Sequence, residues 1–137
     1  MITNLSAIKK PVEFVGSSLR ELRPLPKPVR SVFGYAILLA QLGEKHPDAK
    51  PLSGFGGAGV LEIVEDFNGN TYRAVYTVKF ENVVYVLCAF QKKSKRGRAT
   101  PKQDIDRIRE RLKVAQTHYE ENYPGKKAER AFRERWP

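Results

Sequence analysis

The 137-residue sequence predicts an α+β domain, with helices packed on one mainly antiparallel, four-stranded sheet in the order β-α-α-β-β-β-α. Three observations predict it. Asn68-Gly69-Asn70 lies between two strand-like segments, a strong hairpin signal. The unbroken apolar run Val83-Val-Tyr-Val-Leu-Cys-Ala-Phe90 has strand length and no alternation, as expected of a strand buried on both faces. Two separate stretches, 29–42 and 105–119, repeat apolar residues at helical spacing, so each has a face that needs a sheet or another helix to cover it.

In chain order, Lys10-Pro-Val-Glu-Phe-Val15 reads as a short strand closed by Gly16. Ser18-Leu-Arg-Glu21 matches a capping box, predicting a short helix that starts with Ser18 and stops before Pro24. After the stiff joint Leu25-Pro-Lys-Pro28, a helix carries Val29, Val32, Phe33, Ala36, Leu39 and Ala40 on one stripe and ends at Gly43. Residues 46–59 are rich in proline and glycine. Their glycines lack phosphate-loop spacing and predict a flexible connection.

Residues 60–66 and 71–80 form the hairpin strands. In the second, Tyr72, Ala74, Tyr76, Val78 and Phe80 share one face, and Arg73, Val75, Thr77 and Lys79 the other. Thr100-Pro-Lys-Gln103 is a second capping-box pattern, with Thr100 as cap and Pro101 in the first turn. The helix that follows carries Ile105, Ile108, Leu112, Ala115 and Tyr119 on one side and ends near Pro124-Gly125. One domain over residues 1–123 is expected, followed by a charged extension, 124–137, whose Phe132 and Trp136 stand one helical turn apart.

The net charge is +10, and it is concentrated. Ten cations face eight acids through residue 91, ten face three over residues 92–113, and five face four beyond. Gln91-Lys-Lys-Ser-Lys-Arg-Gly-Arg98 contains no acid and leaves the end of the apolar strand, so cations are held between two anchored elements. Such a patch points to nucleic acid or another polyanion. No apolar segment approaches the ~20 residues needed to span a bilayer, and the N-terminus lacks the basic and apolar regions of a signal peptide. A cytoplasmic protein with no membrane partner is expected. The lone Cys88 reads as a small core residue.

His46 and His118 lack companions at ligand spacing, so neither a metal site nor a cofactor is expected, and no Ser/His/Asp triad can be assembled. Glu62, Glu65 and Asp66 read as the wet face and end of a strand. The remaining chemistry is cationic. Arg73 is fixed in mid-strand, where its fork could engage a phosphate, and Lys92, Lys93, Lys95, Arg96 and Arg98 follow the neighbouring strand. Cleaving RNA requires a base for the 2′-hydroxyl, charge on the transition state and an acid for the leaving oxygen, and crowded lysines can fill these roles. A solvated basic loop that only grips phosphates or an acidic partner is the competing reading.

Tyr72-Arg-Ala-Val-Tyr76, then residues 84–106 with their strand ending Phe90-Gln-Lys-Lys93 followed by Thr100-Pro101, resemble the phage-derived, HigB-like branch of the RelE/ParE toxins. The upstream Lys50-Pro-Leu and Gly56-Gly-Ala-Gly-Val-Leu-Glu-Ile63 resemble that branch's entry to its second strand. The match runs over residues 10–120. It implies a RelE-like fold and the toxin of a type II toxin–antitoxin pair that cleaves mRNA in the ribosomal A site, without metal, by 2′-hydroxyl attack. By position, Arg73, Lys92 and Lys93 would be catalytic, and Lys50, Lys79, Phe90, Lys95, Arg96 and Arg98 would bind RNA. The implied partners are mRNA, the ribosome and an antitoxin of helix-turn-helix type. The same fold also serves ParE-like toxins that inhibit DNA gyrase by binding, and a non-catalytic nucleic-acid-binding phage protein is a third reading. Some RelE-type nucleases carry a tyrosine soon after the basic strand end; here none occurs between Tyr85 and Tyr119.

Overall fold

The structure, a computed structural model, describes residues 9–92 and 100–123. Its elements are β1 (Val12–Phe14), α1 (Ser18–Leu22), α2 (Lys27–Gln41), β2 (Lys50–Pro51), β3 (Val60–Phe67), β4 (Asn70–Thr77), β5 (Val84–Lys92) and α3 (Lys102–Asn122). The α+β class is as expected, but the sheet has five strands rather than four, in the order β1-β5-β4-β3-β2. The added strand is Lys50–Pro51, which pairs antiparallel with β3. Two residues are too short to show a period, and proline within a segment argues against a strand unless it is at an edge, where β2 lies.

β1 pairs with β5 in parallel, while the other three strand pairs are antiparallel. This places the apolar β5 inside the sheet. α2 covers one face: Val29, Phe33, Ala36 and Ala40 pack with Ile63, Tyr72, Ala74, Tyr76, Val84 and Val86. α3 covers the other, through Ile108 and Ala115 against Val75, Tyr85, Leu87 and Cys88. Both faces of β5 are therefore dry, which is why its sequence does not alternate.

A bulge interrupts β5. Val75 pairs with Cys88 but Tyr76 pairs with Val86, leaving Leu87 as the extra residue, so Leu87 and Cys88 both turn toward α3. β1 ends at Phe14, opposite Val86, so strand pairing on this edge of β5 stops just before the bulge. Arg111 and Glu21 take over its backbone. The Arg111 guanidinium donates to the Leu87 carbonyl at 2.8 Å, and the Ala89 N–H donates to the Glu21 carboxylate at 3.3 Å. Arg111 also grips both oxygens of Glu21, at 2.7 and 2.8 Å, and donates to the Ser17 hydroxyl at 2.9 Å.

Several local expectations are corrected here. Ser18 is not the cap of α1: Ser17 is, and its hydroxyl donates to Glu21 at 3.0 Å while Ser18 is fully buried. Thr100 does not cap α3. Pro101 occupies that position without a side-chain cap, its carbonyl accepting from the Asp104 and Ile105 N–H groups. Phe80 does not continue the Tyr72–Tyr76 face. The strand stops at Thr77, whose hydroxyl donates to the Ala58 and Gly59 carbonyls and accepts from the Lys79 N–H, and Phe80 crosses to the α3 side.

The 46–59 connection is packed rather than flexible. Leu52 and Phe55 are buried, and Arg109 lies over the Phe55 ring at 4.7 Å while donating to the Gly54 carbonyl at 3.1 Å. Gly59 closes it at φ 61°, where a Cβ would come within 3.0 Å of the Lys79 backbone nitrogen, so only glycine fits. His118 is tied in as well, its Nδ1 lying 2.7 Å from the Tyr85 hydroxyl. Lys126, Phe132 and Trp136 of the charged extension lie outside the described residues.

Candidate functional site

Strand register decides which side chains share a face, since residues directly opposite one another point the same way. On the α3 side of the sheet, three rows follow from the pairing. Lys50, Glu62, Val75 and Cys88 form one, Val64, Arg73 and Phe90 the next, and Asp66, Thr71 and Lys92 the last. Thus Lys50, Arg73, Phe90 and Lys92 share one face. α3 packs on the first of these rows, through Cys88 and Val75, and on the sheet beyond it. Farther along, Val64 is 39 % exposed and Phe90 and Lys92 are half-buried.

Arg73 is the centre of this region and is only 3 % exposed. Its Nη1 lies 3.1 Å from Glu62 Oε2, across the diagonal between β3 and β4, and it also donates to the Thr100 hydroxyl. Thr100, expected to cap α3, therefore ties the approach to α3 to Arg73. Glu62, read as the wet face of a strand, is instead mostly buried, with 17 % of its side chain exposed. A signal for this was present. The Asn68-Gly69 hairpin pairs Phe67 with Asn70, and counting back places Glu62 and Arg73 on the same face, one diagonal apart.

The other predicted residues divide. Lys50, on the edge strand, is exposed and directly opposite Glu62. Lys79 is not brought to the site. It follows Thr77 at the opposite end of β4 from Thr71, about 20 Å away along the strand, where its ammonium donates to Gln116 at 3.2 Å. Lys93, Lys95, Arg96 and Arg98 lie outside the described residues.

The electrostatics separate inert from usable groups. Burial pushes the Cys88 thiol up to about 12, reinforced by the Glu21 charge, so it is not a nucleophile. Burial alone would raise the Glu21 carboxyl, but hydrogen bonds and charge from Arg111, with Ser17 and the Ala89 N–H, outweigh it and hold that carboxyl below its usual range. The same hydrogen bonds raise Arg111 against the opposing effect of burial. Among the described residues, no three His, Cys, Asp or Glu side chains converge as metal ligands, and no helix is long and apolar enough to cross a membrane.

Comparison with known proteins adds two findings. A family model described as "Phage derived protein Gp49-like" matches residues 20–113. Among solved structures, an arginine-to-alanine double mutant of E. coli toxin RelE in the free state is similar at 24% sequence identity and a TM-score of 0.46, covering 64% of this chain and 87% of that one. No curated protein matches the sequence significantly.

Proposed function

Because the chain belongs to the phage-derived Gp49-like family, a family of RelE/HigB-type toxins, we propose that it is an endoribonuclease toxin that cuts mRNA on the ribosome and is neutralised by a cognate antitoxin of helix-turn-helix type. The chemistry is attack of a 2′-hydroxyl on the adjacent phosphate. That attack concentrates negative charge on the phosphorane oxygens, and fixed cations that need not reorganise are the most effective way to stabilise it. Arg73 supplies such a charge from the sheet face, and Lys92 supplies another at the strand end, with Lys93 next to it in sequence. Phe90, half-buried beside Arg73, could contact a base, and Lys50 offers an exposed cation across the face. Lys95, Arg96 and Arg98 complete an acid-free stretch suited to gripping phosphates.

The observation that carries the reading is the convergence of Lys50, Arg73, Phe90 and Lys92 on one face of the sheet. Primer extension on a reporter mRNA after induction tests it. Cuts that appear only when the message is translated are expected. Intact mRNA combined with loss of DNA supercoiling would instead make the protein a gyrase inhibitor. Growth arrest with neither effect would leave a binding protein.

A further inference from the structure

Resting on the toxin–antitoxin reading for the partner's identity, we infer that the open edge of β3, residues 63–67, docks an extended cationic segment of the antitoxin, which adds there as a further strand. β2 covers β3 only opposite Leu61 and Glu62. The chain before β2 turns away, the Ala49 N–H donating to the His46 carbonyl at 3.0 Å. From Ile63 to the Asn68-Gly69 turn, β3 has β4 on one side and, among the described residues, no strand on the other.

The hydrogen-bond pattern shows which groups face outward. The Leu52 N–H donates to the Val60 carbonyl at 2.9 Å, so Val60 turns its backbone groups toward β2. These groups alternate along a strand, so Val64 and Asp66 point theirs the same way, where no described backbone group meets them. Such a row of unpaired N–H and carbonyl groups is a template for one added strand. Beside it, Val64 and Phe67 are 39 % and 37 % exposed, one on each face of the sheet, and both offer apolar surface to a neighbour.

Charge selects the occupant. Between Val64 and Phe67 stand Glu65, half-buried, and Asp66, exposed. Glu65 shares the α2 face with Phe67, opposite Tyr72, and Asp66 shares the α3 face with Val64. A partner strand in register therefore reads apolar, basic, basic, apolar, and each face gains one apolar contact and one ion pair. The same acids oppose a second copy of this chain. Antiparallel pairing of two β3 edges about Glu65 or Asp66 sets that acid against itself, and pairing about Val64 runs into β2, which already lies opposite Glu62. RNA is repelled as well. The docked strand lies about 10 Å, two strand spacings, from β4 and Arg73, so it anchors the antitoxin beside the candidate site without filling it.

NMR of the isotopically labelled full chain tests this with two defined probes. One is a capped hexapeptide, threonine–isoleucine–lysine–arginine–isoleucine–threonine; in the other, both basic residues are glutamate. The basic probe should shift the Val64 and Asp66 amide signals, slow their hydrogen exchange, and bind at least about fivefold more tightly than the acidic one. Methylating its backbone nitrogens should abolish these effects, because the added ladder is lost. Glu65→Lys with Asp66→Lys should reverse the preference between the probes. Equal binding of both probes, or shifts confined to other residues, overturns the proposal. So do shifts of these amides that grow with protein concentration alone, which make the edge a contact between copies, or that follow addition of an RNA hairpin, which make it a nucleic-acid surface. Should the double-lysine variant not fold, as judged by circular dichroism, the two probes on the wild-type chain still decide. None of these readouts involves cleavage or growth arrest, so their failure leaves the toxin reading standing. Failure of the induced wild-type chain to arrest growth removes the antitoxin as occupant, whatever the peptides do.

Discussion

Two arginine–glutamate pairs lie on the α3 side of β5 and its neighbours, and they are built differently. Arg111 and Glu21 meet through two hydrogen bonds, and each also holds backbone of the β5 bulge. Arg73 and Glu62 approach to 3.1 Å, and Glu62 Oε2 gains no aligned hydrogen bond from that contact. The first pair replaces the neighbouring strand where β1 has ended, which gives it a structural task. The second stands in for no missing strand among the described residues. Burying two charges costs free energy that only complete hydrogen bonding recovers, so an incompletely bonded buried pair is where function, rather than stability, accounts for the residues.

The largest effect is expected at the first pair. Arg111→Ala leaves the Glu21 carboxylate and the Leu87 carbonyl without their principal donor and should cost about 3–5 kcal/mol in urea unfolding, toward the low end because both side chains keep some solvent contact. Replacing both partners, Glu21→Leu with Arg111→Met, should not restore wild-type stability, since the bulge carbonyl and the Ala89 N–H remain unpaired at about 1–3 kcal/mol. Full recovery in the double variant would mean the pair does not hold the bulge, and the contrast between the two pairs would fail.

The corresponding replacement at the second pair, Glu62→Leu with Arg73→Met, should behave in the opposite way. Among the described residues it holds no bulge or strand end in place, so stability should stay within about 1 kcal/mol of wild type or rise. Growth arrest should disappear, with cleavage slowed at least about 10²- to 10³-fold, the loss that follows removal of one preorganised transition-state donor. A stable double variant that still arrests growth would strip this pair of its role. Comparable destabilisation at both pairs would show that they are equivalent.

Acid titration sharpens the same contrast. The Glu21 carboxyl is held below its usual range in the fold, so its contribution is fully present above the ordinary carboxylate pKa of about 4.3 and is lost as pH falls through the lower, folded value. Stability measured by thermal unfolding should therefore decline as pH drops below that ordinary value. Glu21→Gln should flatten this part of the decline. An unchanged acid slope in Glu21→Gln would remove Glu21 as its source.

Much of this was legible beforehand, for physical reasons that differ by element. The hairpin and the two long helices follow from turn chemistry and period, which are local properties. The double burial of β5 was readable because a strand dry on both faces cannot alternate. β2 was not, because two residues carry no period and its pairing depends on where β3 lies. Arg73 was found as an isolated cation in mid-strand. Glu62 was missed because an acid in an amphipathic strand reads as solvent-facing until hairpin register brings it beside Arg73. Thr100 was misassigned because the capping-box pattern is local, whereas its hydroxyl is used by a strand 27 residues earlier.

That misassignment gives the smallest and most specific prediction. If Thr100 capped α3, Thr100→Ala would free a first-turn N–H and fray the helix at a cost of about 1 kcal/mol. Here the Asp104 and Ile105 N–H groups are already bonded to the Pro101 carbonyl, and the Thr100 hydroxyl accepts from Arg73. Thr100→Ala should therefore cost about 0.5–1.5 kcal/mol through the lost Arg73 bond and leave hydrogen-exchange protection of the first turn of α3 unchanged. It should instead weaken growth arrest and lower the stability difference between Arg73→Ala and wild type, because the two side chains share one interaction and their losses cannot add. Strictly additive losses, or selective fraying of the α3 start, would return Thr100 to a capping role and detach it from Arg73.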